Sequence, residues 1–415
     1  MTNITAWIGS WNIGSYKKLD KDKFEIWTTN MNHSICVFGF QEVDNISNLR
    51  KKIVKFMNKK YNSNYKLLIK ENAVCDKSIT AKYSNFQIAQ FIFVKKDISG
   101  ILCNTDNCII KECISSEGQN LQGLSRQLET KGFIANILTI NKKNLIFVTC
   151  HLPFKGITET KNSYNIIKSC NYLGKYIYPG SDSSIIMLGD LNSRSLIQEI
   201  KLDLESTSFS NSEVIKTQLS LEEIKKKMKK YIETEKSKKT DTYYLDTNAK
   251  THFDIWIKTL KELDTFDAPN INKNIIIRKL LSLDVLKFYL EKSKENKCNC
   301  DDLPFQGFEE ATINFLPTYK RDSKSGNYNL TKDGSGRLPG YADRIIYKQG
   351  DLSLIPSSYI AYQEINNMIK GNDHTPISCS FEIIDTTKKY KKKRKVTKTR
   401  KLSKKKKKSR RKKKM

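Results

Sequence analysis

The sequence predicts an α/β protein in which two sheets pack face to face with helices on the outside. Two observations support this. Short apolar segments rich in β-branched and aromatic residues recur along the chain, bounded by polar or Gly/Pro punctuation. Between them lie segments whose apolar residues recur at three- and four-residue steps. Strands buried on one side and flanked by helices pack into such a sandwich. A third observation bears on function: the strands repeatedly end in side chains that can do chemistry.

The predicted strands run from Ala6 to Trp11, Ile35 to Phe40, Gln90 to Val94, Phe133 to Ile140, Leu145 to Thr149 and Ile185 to Leu188, then Arg344 to Tyr347 and Ile377 to Ile383. Helical periodicity marks Leu49 to Tyr61 and Tyr164 to Tyr176. These elements form one body over residues 1–386. It is interrupted at about 203–275 by an insertion whose lysine-rich stretch, Leu219 to Lys239, is expected to be a solvated surface helix. Residues 387–415 are lysine-dominated, too polar to bury anything, and expected to be disordered.

The net charge of +30 is unevenly placed. Lys388 to Lys414 holds 20 Lys or Arg and no acid, which leaves about +10 for everything else. Ten cysteines include no C-x-x-C pair, and Cys36, Cys150 and Cys379 sit in apolar runs, as in a reducing compartment. Cys298 and Cys300, the one close pair, lack the partners of a metal site. The first residues enter strand-like sequence directly, with no basic-then-apolar leader, and no apolar run reaches membrane-span length. The expectation is a soluble intracellular protein, cytoplasmic or nuclear, that is peripheral at most to membranes.

The strand ends are unusual as a set. Ile185–Leu188 stops at Gly189 and is followed by Asp190 and Asn192; the first strand ends in Asn12, the second in Gln41-Glu42, and LIFVTC in His151. Late in the chain, Asp343 and Arg344 open one strand and Asp373-His374 precede another. Each alone reads as a turn, a cap or a satisfied histidine. Together they suit phosphoester hydrolysis, where an anionic target demands charge neutralisation and an aligned water. Glu42 and Asn12 offer oxygen ligands of the kind Mg²⁺ accepts. Asp190 could take a proton from water, with Asn192 fixing the water or a phosphoryl oxygen. His151 and His374 could donate to phosphoryl oxygens, and a carboxylate behind His374 would favour its cation.

GSWNIG, FGFQEV, the histidine of TCHLPF, GDLN and NDH occur in order, and over most of residues 4–385 outside the insertion the chain resembles the endonuclease/exonuclease/phosphatase superfamily of Mg²⁺-dependent phosphoesterases. The resemblance implies a four-layer α/β/β/α sandwich with Asn12 and Glu42 at the metal and Asp190 as general base beside Asn192. It implies that His374 stabilises the phosphate, oriented by Asp343, and that Asp373 joins the metal and water network.

Two further segments narrow the likeness. FQGFEEATINFLPTYKRD (305–322) and RLPGYADRIIYK (337–348) resemble segments of inositol polyphosphate 5-phosphatases, as does LLSLDVL (280–286). This resemblance implies that Tyr319, Lys320 and Arg337 hold a 4-phosphate while the 5-phosphate lies over the metal, with Arg344 a further substrate-binding residue bracing the same loop. It implies as substrate an inositol phosphate or phosphoinositide. There are departures: Tyr341 and Met187 stand where the family has tryptophan, Ser193 replaces an aromatic, and Ser335 a lysine. LETKGFIANI, with Lys131, resembles the loop that approaches the lipid in lipid-acting members, although Leu121, Leu124 and Leu128 fit a buried helix face equally well.

The tail is a long-range electrostatic device. Each cation near an anionic bilayer contributes on the order of 1 kcal/mol, and the same run would bind nucleic acid non-specifically. KKKRKV, residues 391–396, also resembles a nuclear-import signal. Two other functions stay open at this point. One is a superfamily nuclease of the abasic-site or deoxyribonuclease type using the tail on DNA. The other is a non-catalytic phosphoinositide-binding module. The sequence leaves the oligomeric state open.

Overall fold

The computed structural model describes residues 4–73, 87–98, 101–102, 109–119, 125–140, 143–152, 183–193, 277, 281, 284–295, 305–321, 340–368 and 372–384. The predicted helix at 164–176, the insertion at about 203–275, Cys298, Cys300, Arg337 and the tail lie outside them. Every predicted strand is realised.

One seven-stranded sheet, A, contains β1 (Ile4–Asn12), β2 (Ile35–Val43), β3 (Tyr65–Ala73), β4 (Gln87–Lys95), β12 (Leu352–Leu354), β13 (Ile360–Ala361) and β14 (Ile377–Ile383). Its order is β12-β14-β1-β2-β4-β3, with β13 on β14. The other, B, contains β5 (Ile101–Leu102), β6 (Ile109–Gln119), β7 (Ser125–Ile140), β8 (Lys143–His151), β9 (Ser184–Asp190), β10 (Phe308–Glu310) and β11 (Asp343–Lys348). Its order is β10-β11-β9-β8-β7-β5, with β6 on β7. Pairing is mostly antiparallel, and β1–β2 and β8–β9 are the parallel pairs.

Side-chain alternation along the strands sorts the core into layers. Ala6 and Ile8 of β1, Phe147 of β8, Ile186 and Leu188 of β9 and Ile345 of β11 fill the space between the sheets. The opposite face of sheet A packs on α1 (Lys21–Trp27), α2 (Ile46–Lys60) and α4 (Gln363–Met368). The opposite face of sheet B, with Val148, Met187 and Ile346, packs on α3 (Val285–Glu295). The result is helix, sheet, sheet, helix.

Local sequence accounts for the outer layers. In α2 the buried residues Leu49, Ile53 and Met57 recur every fourth position, and Asn45 caps the helix by accepting from the Asn48 N–H at 2.9 Å. Trp7 and Trp11 of β1 stand edge-on to Trp27 of α1, with ring centroids 5.6 and 5.5 Å apart. Such aromatic pairs add roughly 0.5–1.5 kcal/mol each beyond burial. Cys36, Cys150 and Cys379 are free thiols in the core, as expected.

Candidate active site

The same alternation delivers polar groups to one rim of the inter-sheet space. Asn12 continues the inward-facing series Ala6, Ile8 and Ser10, as Asp190 continues Ile186 and Leu188 and His151 continues Phe147 and Thr149. β11 begins opposite the end of β9, so Asp343 pairs with Asp190; β14 begins opposite the end of β1, so the residues before Ile377 arrive beside Asn12. Glu42 breaks the alternation. A bulge between Phe40 and Val43 inserts a residue at φ 55°, which turns Glu42 to the rim while Val43 returns to the helix-covered face. Gly189 is required by space. At φ 141° a Cβ there would lie 2.0 Å from the Cys150 carbonyl oxygen of β8.

The side chains form one hydrogen-bonded cluster. Asn12 Nδ2 donates to Asp190 Oδ2 at 3.1 Å and lies 3.5 Å from His374 Nε2. His374 Nδ1 is 2.9 Å from Asp343 Oδ2, and its Nε2 is 3.8 Å from Asp190 Oδ2. His151 Nε2 sits 3.4 Å from Asp190 Oδ2 and 3.6 Å from Glu42 Oε1, and Lys131 Nζ contacts the same nitrogen. Asn192, at φ 52°, donates its backbone N–H to Asp190 Oδ1 at 3.0 Å and its Nδ2 to the Leu152 carbonyl at 2.5 Å. Asn tolerates this left-handed geometry better than most residues. Glu42 is the open member of the set, its side chain 35% exposed, whereas Asp190, Asp343 and His374 are buried.

The electrostatics follow from this packing. Burial alone would discharge His374, but Asp343, then Asp190, raise its pKa to about 10, so it is a cation held in a fixed orientation. Burial would protonate Asp190, yet His374 and His151 hold it far below the ordinary carboxylate range. Burial also pushes Glu42 up, and the field of His151, Lys131 and His374 more than offsets it, so this carboxylate too is ionised. His151 goes the other way, because burial and then Lys131 lower its pKa.

The donor set fits a divalent cation of the oxygen-seeking kind. The ionised Glu42 carboxylate is open to the cleft. Asn12 spends its amide nitrogen on Asp190, so its oxygen is the atom on offer. Asp343 Oδ1 is buried without a partner among the described residues. No three His, Cys, Asp or Glu side chains among the described residues converge into a cage.

Most of the expected site residues therefore come together. Tyr319 joins them, its ring centroid 4.4 Å from that of His374. Its segment is pinned on two sides: the Tyr319 N–H donates to the Gly340 carbonyl, the Arg321 N–H to Asp373 O and the Thr375 N–H to Thr318 O. Lys320 and Asp373 lie in the segments so joined, and both are half-buried. Arg344 corrects an expectation. It follows Asp343 in a strand, so it points to the opposite face of sheet B, is fully buried, and contacts Asp284 and Glu310 instead of the cleft. It has no route to a substrate phosphate.

One residue near the cleft escaped sequence reasoning. Lys18 folds back over Gly14, where a Cβ at φ 63° would lie 2.8 Å from its Nζ, and it lies in the field of Asp373, Glu42 and Asp44. It belongs to no strand and no motif; only the positive-φ glycine four residues earlier hints at it.

Comparison with known proteins bears directly on this cluster. The family model described as endonuclease/exonuclease/phosphatase family 2 matches residues 9–259 and 266–380. Phosphatidylinositol polyphosphate 5-phosphatase type IV of Mus musculus is 39% identical over 82 residues, 19% of this chain and 11% of that protein. Type IV inositol polyphosphate 5-phosphatase 11 of Arabidopsis thaliana is 34% identical over 73 residues, 18% of this chain and 21% of that protein. The matches thus span only a small part of either relative's length. Among solved structures, the inositol polyphosphate 5-phosphatase domain of SPsynaptojanin, in complex with inositol (1,4)-bisphosphate and calcium ion, superposes with a TM-score of 0.54. The two are 19% identical over 97% of this chain and 92% of that one, which identifies the same fold. With the family model matched across both sheets and all six rim segments, the chain belongs to endonuclease/exonuclease/phosphatase family 2.

Proposed function

We propose that the chain is a Mg²⁺-dependent phosphatase that removes the 5-phosphate of inositol polyphosphates or phosphoinositides by in-line attack of water. The observation that carries this reading is the single cluster in which an ionised aspartate, Asp190, lies between two histidines, His374 and His151, beside an open carboxylate, Glu42. The similar proteins supply the substrate class, since their names are those of inositol polyphosphate 5-phosphatases.

The roles follow from position. Glu42 and Asn12 would hold the metal, which when bound supplies charge stabilisation at the phosphoryl oxygens. Asp190 accepts the proton of the attacking water, fixed by the Asn12 amide and the Asn192 backbone N–H. Asn192 orients that water or a phosphoryl oxygen. His374 donates from Nε2 to the phosphoryl group while Asp343 holds its other nitrogen. His151 and Lys131 border the opposite side, and Asp373 belongs to the surrounding water network. Lys320, carried beside the His374 loop with Tyr319, would recognise a phosphate next to the scissile one, with Arg337 from the neighbouring motif. The lysine-rich tail would concentrate the enzyme on anionic membranes. No helix among the described residues is long and apolar enough to cross a membrane.

The test is phosphate release from soluble inositol 1,4,5-trisphosphate and from phosphatidylinositol 4,5-bisphosphate vesicles, with Mg²⁺ or with EDTA. Release from either substrate that needs the metal supports the reading, and the preferred substrate distinguishes a soluble from a membrane-directed enzyme. Folded protein that releases phosphate from neither, yet cleaves abasic or single-stranded DNA, would move the assignment to a nuclease.

A further inference from the structure

Behind the cleft, on the helix-covered face of sheet B, lies a second buried polar cluster that the chemistry above does not use. Its centre is Asp284, which caps α3 by accepting from the Lys287 N–H at 2.8 Å. The same oxygen, Oδ1, accepts from Arg344 Nη1 at 2.7 Å, and Oδ2 accepts from Ser193 Oγ at 2.9 Å. Ser193 Oγ in turn accepts from the Leu286 N–H at 3.1 Å. Ser193 is 1% exposed and Asp284 4%, so these bonds have no competition from water.

Each end of this cluster adjoins a residue of the active site. Ser193 follows Asn192, whose backbone sits in the left-handed region and whose N–H holds Asp190. Arg344 follows Asp343, which holds His374. One carboxylate therefore ties the exit of β9 to the start of β11 from behind. A left-handed asparagine on a loop is free to relax unless its surroundings over-determine it. The hydroxyl of Ser193, used as both donor and acceptor, does so.

We propose that Ser193 is a positioning residue that acts through Asp284 and the Arg344 guanidinium to hold Asn192 and Asp190 in their reactive geometry. The inference deepens the phosphatase reading and rests on it for its kinetic test. The experiment compares the full-length wild type with Ser193→Ala and Ser193→Thr, well below the melting temperature of each. It measures kcat and KM on soluble inositol trisphosphate, and amide hydrogen exchange across residues 188–193.

In Ser193→Ala we expect kcat to fall about tenfold or more with KM within about twofold, the pattern of an interaction that matters only in the transition state. Exchange at the Asn192 N–H should accelerate by about tenfold, reporting local opening. Ser193→Thr, which keeps the hydroxyl, should recover most of kcat. An alanine variant with unaltered kcat, or with a lower melting temperature as its only defect, would overturn the proposal. If the wild type releases no phosphate, the phosphatase reading has failed. The exchange measurement then decides the positioning role alone: faster exchange upholds it and unchanged exchange rejects it.

Discussion

Two buried charge clusters lie back to back across β11, and they are built on opposite principles. In the rear cluster every charged group is paired: both oxygens of Asp284 and both of Glu310 are occupied, and three guanidinium nitrogens of Arg344 are spent on them. Tyr359 completes it, donating to Glu310 Oε1 at 3.1 Å and accepting the Ile345 N–H at 3.0 Å. Asp284 and Glu310 hold the Arg344 guanidinium charged against its burial. The front cluster is left incomplete. Asp343 Oδ1, His151 Nδ1 and Gln41 Oε1 are buried with no partner among the described residues, and Glu42 faces open space. A saturated network can only hold its neighbours in place. An unsaturated one has capacity for a cation, a water and a phosphate.

This contrast can be broken in four ways, and the expected effects descend in size. Asp190→Asn should cost phosphate release about 10²–10⁴-fold, the range for losing a general base, measured on folded protein. Arg344→Met should act on stability instead, since it strands Asp284 and Glu310. Breaking a buried pair on one side typically costs about 3–5 kcal/mol, read in a denaturant titration.

The third prediction concerns pH. His374 has its pKa raised above the unfolded value of 6.5 to about 10, so its contribution to stability is fully present below pH 6.5. That contribution disappears as the pH rises through about 10. Unfolding in EDTA of the wild type and His374→Gln should therefore differ most below about pH 6.5 and converge in alkali. A difference that grew with pH would refute the cationic assignment. The fourth is a control on the same helix that Asp284 caps. The exposed pair Lys287–Glu291 is 3.6 Å apart, and Lys287→Ala should shift stability by no more than about 0.5 kcal/mol.

Much of this was legible in the sequence because strands have period two and sheets bury one type of surface per face. An apolar run that ends in Asp, Asn or His at an inward position puts that group at the rim of the core, so Asn12, His151 and Asp190 could be read directly. Arg344 was misread for a related reason: Asp343 and Arg344 form one motif in sequence, but adjacent residues on a strand face opposite ways. Glu42 was named, yet its bulge was not foreseen, since nothing in FGFQEV signals the positive φ that turns it inward. Lys18 and the bond from Ser193 to Asp284 were invisible. The first rests on a turn and the second joins residues 91 positions apart, and neither leaves a local period.

The pairing of β11 with β9, Asp343 opposite Asp190 and Arg344 opposite Gly189, also constrains how this protein can change. A shift of one position would keep the strand's hydrophobic content, yet it would exchange the two faces throughout. The guanidinium would enter the cleft beside His374, and the carboxylate would be left among Met187, Ile346 and α3. Inserting or deleting a single residue inside β11 therefore exchanges the two faces beyond the edit unless a bulge absorbs it, as one does at Glu42 in β2.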